Sequence, residues 1–309
     1  MRSNVSWITA ASELLLRLRS DADAWGYRPG DPPAVEPTVL AGLGLRCTGA
    51  STNQAASIEA PARAAHWVAR MQRPDGSVRL SAELAVPQWA TSYALLLWAN
   101  VDGFAPQGTL AAQWLEQSRG KSFPKTPENP VGHDTTLVGW PWVEGTHSWV
   151  EPTAMALVAL ARIGPNRSPR VTEGARLLAD RALSTGGWNY GNSAVFQAIL
   201  RPQPGPTGLA LLALACLGIQ DRSVEPALAY LESALPGIRS PQSLCWGILG
   251  LSAWNRRPAQ ATEWLRNAYD ALTAEATDDP FGLAHIVLAA SEQALDVLGL
   301  PVRKEAKSS

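Results

Sequence analysis

The sequence predicts an all-α fold, an (α/α)6 toroid (barrel) of six helix pairs. Two observations predict it. First, one layout recurs along the 309 residues: an aromatic triplet, a short polar loop, then Glu-Pro-Thr opening an apolar helix. Trp25 precedes Glu36 by 11 positions, and Trp140 precedes Glu151 by the same 11. Fixed-period recurrence marks a repeat architecture. Second, the periodic segments have helical spacing without sustained alternation. They come as an amphipathic helix followed by one that is apolar almost all round. A helix apolar on every side is buried on every side, so the second members form an inner ring.

The amphipathic members are 12–24, 62–72, 109–118, 171–183, 224–235 and 259–272. The apolar members are 37–45, 90–100, 152–163, 206–217, 241–254 and 280–297. The residue before each apolar start is Glu36, Trp89, Glu151, Gly205, Ser240 and Asp279. Five of the six next residues are proline (Pro37, Pro152, Pro206, Pro241 and Pro280), with Ala90 as the exception, which fits the first helical position. Thr38, Thr91, Thr153 and Thr207 follow. The aromatic column is Trp25, Val78, Trp140 and Trp188. Val78 to Trp89 keeps the 11-position register, whereas Trp188 to Gly205 spans 17, so six extra residues lie within 193–204. The longest connection, 119–140, carries Lys121, Lys125, His133 and Asp134, and long loops of this kind serve as lids or binding loops. Residues 1–300 are read as a single toroid domain and 301–309 as a disordered polar tail.

Composition limits the function. A net charge of −1 without a basic block argues against nucleic acid as a partner. Cys47, Cys216 and Cys245 make no CxxC pair, and an odd thiol count suits a reducing cytoplasm. The longest apolar run is too short to span a bilayer. No P-loop or dinucleotide fingerprint occurs, so no cofactor is expected. Thirteen tryptophans cluster before the apolar helices and at helical spacing.

Gln72-Arg-Pro-Asp75-Gly76-Ser-Val78 resembles a degenerate Q-x-x-D/N-G-x-W repeat of the squalene-hopene cyclases, and Gly186-Gly187-Trp188 resembles part of another. The apolar helices resemble the prenyltransferase and squalene oxidase repeat. The resemblance covers nearly the whole chain and implies the toroid shared by class II terpene cyclases, prenyltransferase β subunits and thioester-containing complement domains. It also separates these branches. The Cys-Gly-Glu-Gln thioester sequence is missing. The prenyltransferase zinc set is incomplete: Cys245 and His285 stand on apolar helices, but Ser243 replaces the aspartate, and no metal is expected. Aligning the cyclase D-x-D-D-T-A motif on Thr153-Ala154 places Glu151 on the general acid, with Trp149 and Pro152 in place of two other acids.

Glu151 is therefore the expected catalytic acid, with Glu36 assisting at the same mouth, where six positive helix termini converge. Trp25, Tyr27, Trp89, Trp140, Trp142, Trp149, Trp188 and Tyr190 precede helix starts, and Trp246 lies on the fifth apolar helix. All are candidate substrate-binding residues, as are His133, Asp134 and His147 in the rim loops. Aromatic faces can stabilise a cation; they can equally wedge neighbouring repeats together. The expected ligand is apolar and isoprenoid-like, and a peripheral membrane or protein partner stays open. Two alternatives are carried forward: a non-catalytic scaffold that lost the acids, and an (α/α)6 carbohydrate-active enzyme using both glutamates.

Overall fold

The computed structural model describes residues 2–52, 55–84, 86, 88–126, 130–164, 167–274 and 279–300. The tail 301–309 lies outside them. Six outer helices alternate with six inner ones. The outer helices are α1 (Arg2–Arg17), α3 (Ala55–Ala69), α5 (Ala105–Gln117), α7 (Pro169–Arg181), α9 (Val224–Ala234) and α11 (Ala261–Ala274). The inner helices are α2 (Val35–Thr52), α4 (Ala90–Trp98), α6 (Val150–Arg162), α8 (Pro204–Cys216), α10 (Pro241–Ala253) and α12 (Pro280–Ala290). Each inner helix packs on the next, and α12 returns onto α2, so the ring closes. A short α13 (Ala294–Val297) follows.

Every residue of α4 is buried, as are Pro204–Leu214 of α8. The inner wall is therefore the core. Glycine sets its tightest contact: a Cβ on Gly208 of α8 would collide with the Trp246 carbonyl of α10. Such close approach needs a residue without a side chain.

Several boundaries differ from expectation. Pro241 and Pro280 open their helices, but Pro37, Pro152 and Pro206 are third residues. The first four helical N–H groups have no intrahelical partner, so proline fits anywhere in that turn. Glu36 and Glu151 consequently lie inside the first turn rather than before it. Outer helix α1 ends at Arg17, and 18–24 form the turn that delivers Trp25. Helix α12 stops at Ala290, so 280–297 is two helices rather than one.

A single hydrogen-bond device repeats four times. The backbone N–H of Trp25, Val78, Trp140 and Trp188 donates to the hydroxyl of Thr38, Thr91, Thr153 and Thr207, at 3.0, 2.8, 3.0 and 2.9 Å. Each loop is thereby tied to the inner helix that follows it. The six extra residues before α8 do not break the device. They loop out as a hairpin of β1 (Ala194–Val195) and β2 (Ala198–Ile199).

The three tryptophans of this column are wedges. Trp25 and Trp188 are 0% exposed and Trp140 2%. Their indole N–H groups donate to the carbonyls of Leu15, Leu178 and Leu115, at 2.7, 2.7 and 3.0 Å, on the preceding outer helices. Trp140 also lies under the Arg170 guanidinium, 3.6 Å from its ring centre. Arg170 in turn donates to the carbonyls of Ser118, Val138 and Gly139, which pins the long connection to α7.

Candidate active site

Glu36 and Glu151 come from the first turns of α2 and α6, with α4 between them. Glu36 is only 7% exposed. Its Oε2 accepts a 2.7 Å hydrogen bond from the Tyr27 hydroxyl, and Tyr93 of α4 also favours its ionised form. Burial raises the Glu36 pKa to about 7, against the lowering pull of these two donors. Burial also raises Glu151 to about 7, and the charge on Glu36 adds to the effect. No hydroxyl offsets the shift at Glu151. The two carboxyls are thus electrostatically coupled and titrate as a pair.

The division of labour follows from the donors. Two tyrosine hydroxyls favour charge on Glu36, since hydrogen bonds to the ionised form stabilise it. The Glu36 charge then favours the proton on Glu151. Both influences bias the charge toward Glu36 and the proton toward Glu151. Burial beside Glu36 and Glu151 raises the Tyr93 pKa well above its ordinary value, so Tyr93 stays a donor.

Aromatic rings lead away from this pair. Tyr27 meets Phe281 edge-on at 5.0 Å between ring centres, Phe281 meets His285 at 4.6 Å, and His285 meets Trp246 at 5.6 Å. On the other side Trp89 contacts Tyr93 at 5.5 Å and Trp142 at 4.9 Å. Tyr190 is 47% exposed and feels the Glu151 charge. Its carbonyl accepts from Val150 N at 2.8 Å, which sets it beside the acid.

The rim residues form a second cluster. His147 packs against Trp149 at 4.4 Å. His133 is buried, and burial, then Arg181 and His147, lower its pKa to about 4. Arg181 donates to the Gly191 carbonyl at 2.6 Å. Asp134 uses its carboxylate locally, accepting from Thr136 N and Oγ1, while its N–H donates to Asp180. Tyr27, Trp89, Trp142 and Trp149 are thus half-buried and Tyr190 exposed, whereas Trp25, Trp140 and Trp188 are sealed between helix layers. Sequence reasoning missed Tyr93 and Phe281 and left His285 as a core residue. Tyr93 had a signal: the aligned copies carry Leu40, Met155, Leu209, Leu244 and Leu283 there. Cys245 and His285 are both buried, and among the described residues no three His, Cys, Asp or Glu side chains converge as a metal site.

No protein family's sequence profile matches the chain, and no curated protein does. Solved structures do. A variant of the type II terpene cyclase MstE from Scytonema, in complex with geranylgeranyl dihydroxybenzoate, is 16% identical with a TM-score of 0.62, covering 96% of this chain and 98% of that one. The GH76A α-1,6-mannanase from Salegentibacter is 9% identical with a TM-score of 0.61, covering 93% and 99%. An α-amylase from Clostridium perfringens is 12% identical with a TM-score of 0.57, covering 91% and 96%. The ring is the (α/α)6 toroid of these cyclases and glycoside hydrolases. At such identities the likeness carries the fold, and function must be argued from the site. No helix among the described residues is long and apolar enough to cross a membrane.

Proposed function

We propose that the protein acts on an apolar, isoprenoid-type ligand by acid-initiated isomerisation or cyclisation, with Glu151 as proton donor and Glu36 as the ionised partner that sets its proton affinity. The carrying observation is the buried carboxyl pair, one member bonded by Tyr27 and the other raised by burial and by the charge of the first. A carboxyl that titrates near 7 is protonated for a large fraction of molecules at neutral pH, as a general acid requires. It is also a weak acid, which suits an activated acceptor such as an epoxide, an enol or an allylic alcohol. Tyr27, Trp89, Trp142 and Tyr190 present ring faces around the mouth. Such faces attract a developing cation by about 1–2 kcal/mol each where water is excluded. The terpene cyclase of similar fold, held with a prenylated substrate, agrees with this substrate class.

Paired carboxyls also serve glycoside hydrolysis, and glycosidases share the ring. The surroundings argue against it: the tyrosines that meet Glu36 are backed by Phe281 and Trp89 rather than by the polar fringe that fixes sugar hydroxyls. The test is incubation with linear C10 to C20 isoprenoid alcohols and epoxides in D2O, followed by mass spectrometry. The wild type is expected to yield product carrying one deuterium, and Glu151→Gln none. Hydrolysis of α-mannosides or α-glucans, with every isoprenoid left unlabelled, would overturn the proposal.

A further inference from the structure

Beneath Phe281, two buried polar atoms have no hydrogen-bond partner among the described residues: His285 Nε2 and Trp246 Nε1. Each side chain is 1% exposed. They belong to adjacent inner helices, and each is the sixth residue of its own, α12 and α10. Their rings meet edge-on, 5.6 Å apart. The contacts Tyr27–Phe281–His285 connect them to the acid pair, and His285 lies four residues, about 6 Å along the axis, below Phe281.

The chemistry of the two atoms is complementary. His285 Nδ1 lies 2.9 Å from the Phe281 carbonyl oxygen, which can only accept, so Nδ1 carries the proton. Nε2 therefore presents a lone pair. Burial lowers the His285 pKa to about 4, so the ring is neutral at physiological pH. Trp246 Nε1 is a donor and nothing else. One acceptor beside one donor matches a group that can both donate and accept through a single atom. Among neutral groups a hydroxyl does this; an ether oxygen accepts only, and a hydrocarbon does neither. An unpaired buried polar atom is costly, and a ligand that satisfies it recovers that cost.

We propose that His285 and Trp246 form a recognition site for a hydroxyl group on the ligand, accepting its proton at Nε2 and donating to its oxygen from Nε1. This rests on the reading of an isoprenoid-type ligand and narrows it to one carrying an alcohol or phenol remote from the protonated end. Calorimetric titration of the full chain with geraniol, geranyl methyl ether and 2,6-dimethylocta-2,6-diene tests it. Wild type is expected to bind the alcohol roughly tenfold more tightly than the ether, and the ether more tightly than the hydrocarbon. His285→Phe should abolish the first preference and Trp246→Phe the second, each preference being read as a ratio within the one variant. Equal affinity for all three in the wild type overturns the hydroxyl site but leaves the apolar-ligand reading standing. Failure of all three to bind overturns that reading as well. Variants that lose melting temperature, in a protein showing no preference among the three, identify the pair as holding a structural water only.

Discussion

The Tyr27 hydroxyl donates to Glu36 Oε2 at 2.7 Å, and this bond lowers the proton affinity of Glu36 against the upward push of burial. Tyr27 reaches Glu36 from the loop before α2, nine residues away, so the contact is local in sequence. Tyr93 reaches it from α4. Both pull the Glu36 pKa down against burial, and charge on Glu36 adds to the burial that raises Glu151.

Tyr27→Phe removes one of the two donors. Hydrogen bonds to ionised groups contribute about 1.5–3 kcal/mol. The variant is expected to lose about 1–2 kcal/mol of stability at pH 8, where Glu36 is ionised, and distinctly less at pH 5, where it is protonated. Urea unfolding at both pH values measures this. An equal loss at the two would mean that the bond does not discriminate between protonation states.

Glu151 makes folding stability depend on pH in a calculable direction. Its folded pKa is raised to about 7 from an ordinary 4.5. Between these values the folded chain retains a proton that the unfolded chain releases, so stability falls as pH rises through that window. Glu151→Gln does not titrate. It is expected to match the wild type at pH 4 and to exceed it by about 2 kcal/mol at pH 8, a figure discounted for the partial exposure of the side chain. Parallel stability profiles would sink the raised pKa. The same proton predicts that turnover declines above pH 7, as the acid form is lost.

The ring was legible because its inner helices are apolar on all sides, which follows from burial in the middle of two layers, and because three of them carry Pro-Thr in the first turn. Helix starts were less legible, since a first turn tolerates proline at several positions. The role of Trp25, Trp140 and Trp188 was open in the sequence, because a wedge and a ligand-facing indole need the same large aromatic. What settled it was the indole N–H, which reaches a carbonyl on the preceding outer helix. The Trp246–His285 contact depends on how neighbouring helices rotate against each other, and no local pattern encodes that rotation.

Thr207 tests the repeated tie between loop and inner helix. Its hydroxyl accepts from the buried N–H of Trp188 across the longest of the four spacings, 19 residues. Thr207→Val keeps the shape and removes the acceptor, leaving a buried donor unpaired. The expected cost is about 1–3 kcal/mol. Thr207→Ser restores the acceptor and should recover most of that loss. Chemical denaturation of both variants checks this, and a serine variant as weak as the valine one would show that the methyl group, not the hydrogen bond, stabilises the junction.

The hairpin before α8 carries strain that can be removed. Phe196 and Gln197 have φ of +48° and +66° at the turn between β1 and β2, and Phe196 is 80% exposed. Two consecutive positive φ values suit Asn-Gly, whereas a bulky side chain is strained there. The hairpin is held by Phe196 N donating to the Pro130 carbonyl at 2.8 Å and Gly132 N to the Ala194 carbonyl at 3.0 Å, bonds that use only backbone atoms. The double variant Phe196→Asn, Gln197→Gly therefore keeps the scaffold. It is expected to gain about 1 kcal/mol, or about 1–2 °C in melting temperature for a chain of this size. Because the turn lies beyond Tyr190 and Gly191, deuterium transfer by Glu151 should be unchanged. A more stable protein with impaired transfer would instead show that Phe196 is held in its strained conformation for the sake of the ligand.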